Sequence, residues 1–185
     1  MPVEQPAIEV VPVGDVPTAL LSGLLPAIEA HFPRRIARLA YRGLPRPDYA
    51  FVPDRNQYLS EIILGELAGL PSRAERVLGV VDLDLFAWPA PFIFGQAETG
   101  RPVAIIALRR LRPEFWHRPA NSRLLLRRAV KEAVHELGHT YGLPHCPDPT
   151  CVMHLSIVLA DSDFKGDRFC ARDEACLAHT LSRAA

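Results

Sequence analysis

The sequence lacks net charge: 21 lysines and arginines are matched by 21 aspartates and glutamates. A chain without excess positive charge has little to attract bulk nucleic acid or an anionic membrane. It also lacks any apolar run near the ~18 residues that a membrane helix needs, because Pro, Gly or charge interrupts every stretch. The first residues, Met1 to Val10, hold no basic cluster and include two glutamates, Glu4 and Glu9, which excludes a signal-peptide pattern. These absences predict a cytoplasmic protein with neither membrane nor nucleic-acid partners. Repeats, low-complexity runs and long linkers are missing too, so 185 residues make one domain, 1–185. Cysteine is scarce at four residues, and in a reducing compartment such a set more often binds metal than forms disulfides.

What is present is unevenly placed. Proline is abundant, 18 residues in 185, roughly twice the usual ~5%. All four cysteines (Cys146, Cys151, Cys170, Cys176) and four of the seven histidines (His135, His139, His145, His154) fall between 135 and 176. Thiolate and imidazole are the donors transition metals prefer, so this crowding points to metal chemistry.

Patterning predicts strands at Ile8–Val13 and Ile36–Tyr41, a helix from about Pro17 to His31, and another over Asp54–Leu70. Arg76–Phe86 reads as a buried strand that passes into alternation. Phe92–Gln96 and Val103–Leu108 read as a hairpin about Thr99-Gly-Arg-Pro102. A strong helix runs from about Asn121 to Tyr141, capped by Asn121 or Ser122, and the region after 142 is irregular until a last helix over Ala171–Arg183. The order implies a mixed α/β (α+β) architecture.

The long helix ends in His135-Glu-Leu-Gly-His-Thr-Tyr-Gly-Leu-Pro-His145, or H-E-x-x-H-x-x-G-x-x-H. Four residues of helix place His135 and His139 on one face, where both imidazoles can bind one zinc ion. Glu136, about 100° round the helix, is placed to reach a water on the metal and serve as general base. Gly142 suits a sharp turn that brings His145 back as third ligand. Three protein ligands leave one position open, the arrangement of a catalytic site, in which zinc lowers the pKa of its water to about 7. Tyr141, beside these ligands, either meets an oxyanion or packs on the helix end. The basic runs Arg109, Arg110, Arg112 and Arg127, Arg128 read as solvated or paired faces.

These residues resemble the metzincin zinc peptidases, which follow the third histidine with a methionine turn; Met153 matches. The short spacing to Met153, with Cys146 and Cys151 between, is similar to the archaemetzincins. Pro12-Val-Gly-Asp-Val-Pro17, Asp54-Arg-Asn-Gln-Tyr58, Leu78–Phe86 and Lys131–His139 look like that family's segments as well. The resemblance implies a zincin fold: a mixed sheet with helices and an active-site helix (upper subdomain about 1–142), then a short irregular lower subdomain (143–185). It implies a peptidase acting on peptides or unfolded proteins, with a cleft bordered near Phe92–Gly95 or Val103–Leu108. It also implies a second, structural zinc on Cys146, Cys151, Cys170 and a fourth ligand. The family's Cys-x-x-Cys would continue from Cys170 to position 173, where this chain has Asp173. Cys176 is the expected fourth ligand, with Asp173 or His154 as substitutes. A second departure is Phe86-Ala-Trp-Pro-Ala-Pro-Phe92, whose prolines remove backbone donors and whose Trp88 is a candidate cleft residue. The alternative function is a zinc-bound peptide binder with little turnover.

Overall fold

A computed structural model describes residues 5–97 and 101–183. Two sheets and five helices form a mixed α/β fold. The larger sheet has the order β2-β1-β5-β9-β8, from Ile36–Leu39 (β2), Ala7–Val13 (β1), Arg76–Val81 (β5), Val103–Ala107 (β9) and Gly95–Ala97 (β8). The first four strands are parallel, and β8 closes one edge antiparallel to β9, with Gly95 opposite Ile106 and Ala97 opposite Ala104. The centre of the expected hairpin turn, 98–100, lies outside the described residues.

Its central strands are near-continuous runs of Val, Ile, Leu and Ala because both faces are covered. On one face Leu78, Val80, Ala104 and Ile106 meet helices α1 (Thr18–His31) and α3 (Ser122–Thr140). On the other, Val77, Val81, Ile105 and Ala107 meet Ile63, Leu64 and Leu67 of α2 (Ser60–Ala68). In α1 the buried Leu20, Leu21, Leu24 and Ile28 follow helical spacing. In α3, Asn121 is the cap, its side chain accepting from Leu124 N at 2.9 Å. The C-terminal half of α3 is buried almost all round, from Arg128 to Gly138. A helix with that environment is a central strut, and it carries the histidine motif. Among the described residues, no helix is long and apolar enough to cross a membrane.

Four expectations change. The strand expected over Phe92–Gln96 is divided, Ala90–Ile93 pairing with Leu85–Ala87 and only Gly95–Ala97 pairing with β9. The helix expected over Asp54–Leu70 begins only at Ser60. Asn56 takes the left-handed conformation at φ 52°, and Gln57–Leu59 (β4) instead joins a small sheet between Phe51–Val52 (β3) and Leu85–Ala87 (β6), with Ala90–Ile93 (β7) beyond β6 and Tyr58 opposite both Phe51 and Leu85. The strand expected to continue to Phe86 stops at Val81, and Leu85–Ala87 (β6) belongs to the small sheet. Between them Asp84 binds Arg110 through two contacts, at 2.6 and 2.9 Å, and Asp82 binds Arg112. Those charges draw the chain out of one sheet and into the other, and they pair Arg110 and Arg112 of the basic run after β9. Finally, the region after 142 contains a short helix, Leu159–Phe164 (α4), before α5 at Ala171–Arg183.

At Gly79 in β5 the side chain of Leu67 from α2 packs directly over the sheet: an added Cβ would lie 2.5 Å from Leu67 Cδ1 and 3.3 Å from Ile105 Cγ1. Gly79→Ala should therefore destabilise the protein by about 1–3 kcal/mol. A urea unfolding midpoint equal to that of the parent would contradict the packing described here.

Candidate active site

His135 and His139 lie on one face of α3, their ring centroids 4.6 Å apart. His145, after the turn, lies 4.7 Å from His139 and 5.3 Å from His135. The turn needs Gly142, which has φ 89°, and Leu143 N closes it on Gly138 O at 3.0 Å. A backbone carbonyl fixes each of the first two rings: His135 Nδ1 donates to Val152 O at 2.8 Å and His139 Nδ1 to Leu143 O at 2.7 Å. Because a carbonyl only accepts, the proton of each ring sits on Nδ1 and the lone pair on Nε2. The two Nε2 atoms then face each other at 3.1 Å. Ligands on a tetrahedral zinc at 2.0–2.1 Å would be roughly 3.3 Å apart. One ligand nitrogen from each of the three histidines falls within a 4.8 Å group. Burial lowers the pKa of all three and, with Lys165 nearby, keeps the rings neutral, as metal ligation requires.

Glu136, 5% exposed, lines the same cavity as the histidines. Burial, with Glu132 one turn away, pushes its carboxyl well above the ordinary range. The backbone of β8 lies against it: a Cβ on Gly95 would be 2.6 Å from Glu136 Cγ and from its Oε1. Met153 is fully buried beneath the helix, where a Cβ on Gly138 would meet its Sδ at 2.5 Å. The glycine between the two helical histidines thus makes room for the methionine. Ala90–Ala97 borders the cavity, whereas Val103–Ala107 is buried in the sheet interior. Trp88 is 70% exposed and lies outside the cavity, packed against Phe86 and Arg55. Tyr141 takes the packing role. It is buried, stacks on Phe32 and donates its hydroxyl to Glu75 at 3.2 Å, while burial pushes its pKa up.

A second group lies on the chain just beyond His145. Cys146, Cys151, Cys170 and Asp173 bring one ligand atom each within 4.8 Å of one another. Cys146 Sγ to Cys170 Sγ is 3.8 Å, and Cys151 Sγ to Asp173 Oδ2 is 3.3 Å. Zinc–sulfur bonds of 2.3 Å and a zinc–oxygen bond of about 2.0 Å give tetrahedral edges of roughly 3.8 and 3.5 Å. The cysteines are free thiols. Burial pushes Cys146 up and Cys151 up to about 12. Burial also acts to raise Asp173, but donors from Cys151 and Arg172 outweigh it and hold the carboxyl below its ordinary range.

The expectation for Cys176 is corrected here, since it is exposed and outside the group. Asp173 lies in the first turn of α5. Cys176 is three residues further, about 4.5 Å along the axis and 60° round. His154 is not a member either: its Nδ1 contacts Cys146 O at 3.0 Å. What pattern reading missed altogether is Lys165, 1% exposed, with Nζ 3.3 Å from Glu132 and 3.5 Å from His135 Nδ1. A lysine within a polar stretch carries no signal of burial.

Residues 47–181 match the model of Peptidase family M54, which together with the histidine group makes this a zinc metallopeptidase. The archaemetzincin of Pyrococcus abyssi is 40% identical over 173 residues, covering 91% of this chain and 90% of the relative. The crystal structure of an archaemetzincin from Methanopyrus kandleri superposes with a TM-score of 0.86 at 32% identity, covering 97% of both chains. A zinc-dependent peptidase from Methanocorpusculum labreanum gives 0.84 at 28% identity, over 92% of this chain and 99% of that one. The chain belongs to Peptidase family M54, the archaemetzincins.

Gly95→Ala tests the seating of Glu136. The added methyl must displace that carboxyl, so kcat/KM for peptide cleavage should fall on the order of a hundredfold while zinc content stays at the parent value. Full activity in Gly95→Ala would show that the carboxyl position is not held by β8.

Proposed function

We propose that this chain hydrolyses peptide bonds, with His135, His139 and His145 holding one zinc ion and Glu136 as general base. The observation that carries this reading is the pair of imidazole lone pairs facing each other at 3.1 Å, each ring locked by a carbonyl behind it. Two acceptors at that distance repel unless a cation lies between them, and imidazole nitrogen is a donor that zinc takes readily. Bound there, zinc supplies Lewis acidity, which acidifies water and polarises a carbonyl.

The remaining work falls to the chain. Glu136, seated against β8 and buried from bulk water, takes the proton of the attacking water on its carboxylate and passes it to the departing amine. Burial favours the protonated form after the first transfer, which suits a group that must then act as an acid. Strand β8, an edge strand with a free side, offers backbone groups for an extended peptide. Prolines at 89 and 91 shorten the neighbouring edge available for that pairing, so few substrate residues are aligned there. The buried Met153 packs beneath the ligand helix in the manner of a metzincin methionine turn.

We assign a second, structural zinc to Cys146, Cys151, Cys170 and Asp173, on the strength of edge lengths that match a tetrahedron. Its reach is mechanical: Cys146 directly follows His145, and Cys151 directly precedes Val152, whose carbonyl orients His135. Cytoplasmic residence is consistent with the free thiols.

Two measurements test this. Glu136→Gln should lower kcat on the order of 10²- to 10⁴-fold with the metal content of the parent; unchanged turnover refutes the base assignment. Metal analysis should give two zinc ions per chain, two in Cys176→Ser and one in Asp173→Ala. Loss of a zinc in Cys176→Ser, or retention of both in Asp173→Ala, overturns the assigned ligand set.

A further inference from the structure

The cavity that holds the histidines and Glu136 has a volume of about 900 Å³ and extends beyond them between Ala90–Ala97 and Leu155–Val158. Most of its wall is apolar. Phe92 and Phe94 meet edge to face at 5.4 Å on one side, and Ile157 and Val158 stand exposed on the other. Two polar groups interrupt this wall. Glu132, 2% exposed, lies one helical turn before Glu136. Its two protein partners, Ser162 Oγ at 2.8 Å and Lys165 Nζ at 3.3 Å, both reach the same oxygen, Oε1. Among the described residues no donor reaches Oε2. Ser156 supplies the second group: its Oγ is buried and has no hydrogen-bond partner among the described residues.

Unpaired polar atoms in an apolar cavity are costly, and a ligand that supplies their partners binds in preference to one that does not. The charge of Glu132 is already offset by the buried ammonium of Lys165. A second cation placed at Oε2 would sit close to that ammonium in a poorly solvated site, which disfavours arginine or lysine. A wholly apolar side chain would leave Oε2 desolvated and unpaired. The wall and its two polar interruptions are complementary to a flat apolar ring ending in one neutral hydroxyl.

Resting on the peptidase reading above, we infer that this cavity selects substrates with tyrosine beside the scissile bond. Phe92, Phe94, Ile157 and Val158 wall the ring, and the phenol donates to Glu132 Oε2. Ser156 Oγ is a further hydrogen-bonding partner for the phenol oxygen. Glu132 and Ser156 are thereby specificity-determining residues, and phenylalanine is the discriminated analogue. A site that hydrogen-bonds a substrate hydroxyl rejects the analogue lacking it far more strongly than an apolar pocket rejects an added hydroxyl.

The test uses the zinc-loaded protein and a peptide series that differs only in Tyr, Phe, Arg or Leu at each position flanking the cleaved bond. Two readouts are taken: kcat/KM with the parent protein, and equilibrium binding of the same peptides to zinc-loaded Glu136→Gln. At one flanking position tyrosine should exceed phenylalanine by about ten- to a hundredfold, with arginine below both. Phenylalanine or leucine equal to tyrosine, or arginine preferred, in either readout overturns the inference. If no peptide is cleaved but the tyrosine preference persists in binding, the peptidase reading fails and the pocket assignment stands.

Ser156→Ala and Glu132→Gln then locate the selectivity. Each should reduce the ratio of tyrosine to phenylalanine severalfold, the ratio being taken within each variant so that any change common to both peptides cancels. A ratio intact in Ser156→Ala and in a folded Glu132→Gln overturns the assignment. Should Glu132→Gln leave Lys165 too poorly paired to fold, Ser156→Ala alone decides, because Ser156 Oγ has no partner to lose among the described residues.

Discussion

Two imidazole nitrogens face each other at 3.1 Å, and neither can turn away, because the opposite edge of each ring is tied to a backbone carbonyl. Much else in the molecule is arranged to hold that pair. Leu143 O is in place because Gly142 takes a left-handed turn and Leu143 N returns to Gly138 O. Val152 O is in place because Cys146 N donates to Met153 O, Val152 N donates to Arg168 O and Met153 fills the space left by Gly138. The first carbonyl is local to the helix end. The second comes from a loop that has no regular structure of its own, so the geometry of His135 depends on whatever orders that loop.

That dependence gives the cysteine group its meaning. Cys146, Cys151 and Cys170 flank the loop at its start, middle and far side, and Asp173 ties it to the first turn of α5. An irregular segment has no ladder of backbone hydrogen bonds to offset its loss of conformational entropy, so side-chain anchors such as the buried Val152 and Met153 must hold it. A metal on these four groups would supply the constraint, and Met153, Val152 and Phe169 would carry it to the underside of α3. The cysteine group and the histidine group are therefore arranged in series, the first lying along the backbone that orients the second.

Legibility in the sequence follows the range of the interactions. The H-E-x-x-H spacing, the Asn121 cap and the turn at Gly142 are determined by residues a few positions apart, and reading along the chain found them. The helix expected at Asp54 failed because Gln57 and Tyr58 answer to Val52, Phe51 and Leu85, partners in a sheet that forms only when the chain is folded. The overlong strand failed for a similar reason: Asp82 and Asp84 look like alternation until Arg110 and Arg112 arrive from beyond β9. Lys165 was invisible because burial of a lysine depends on Glu132, on another element 33 positions earlier.

The misplaced cysteine shows where counting donor types stops being enough. A search for four thiols ranks Asp173 only as a substitute, although a carboxylate has the same unit charge as a thiolate. With zinc, three thiolates and one carboxylate leave the same net charge as four thiolates. The carboxylate oxygen also stands one bond further from its Cα than a cysteine sulfur does. It reaches the group from the first helical turn of α5. Arg172 completes the arrangement, with Nη2 2.9 Å from Asp173 Oδ1 and 3.4 Å from Cys146 Sγ. It leaves Oδ2 directed at Cys151 Sγ and offsets part of the anionic charge gathered there. Position and charge together favour Asp173 in the proposed ligand set, and position is set by α5, on which the next cysteine along, Cys176, is exposed and lies outside the group.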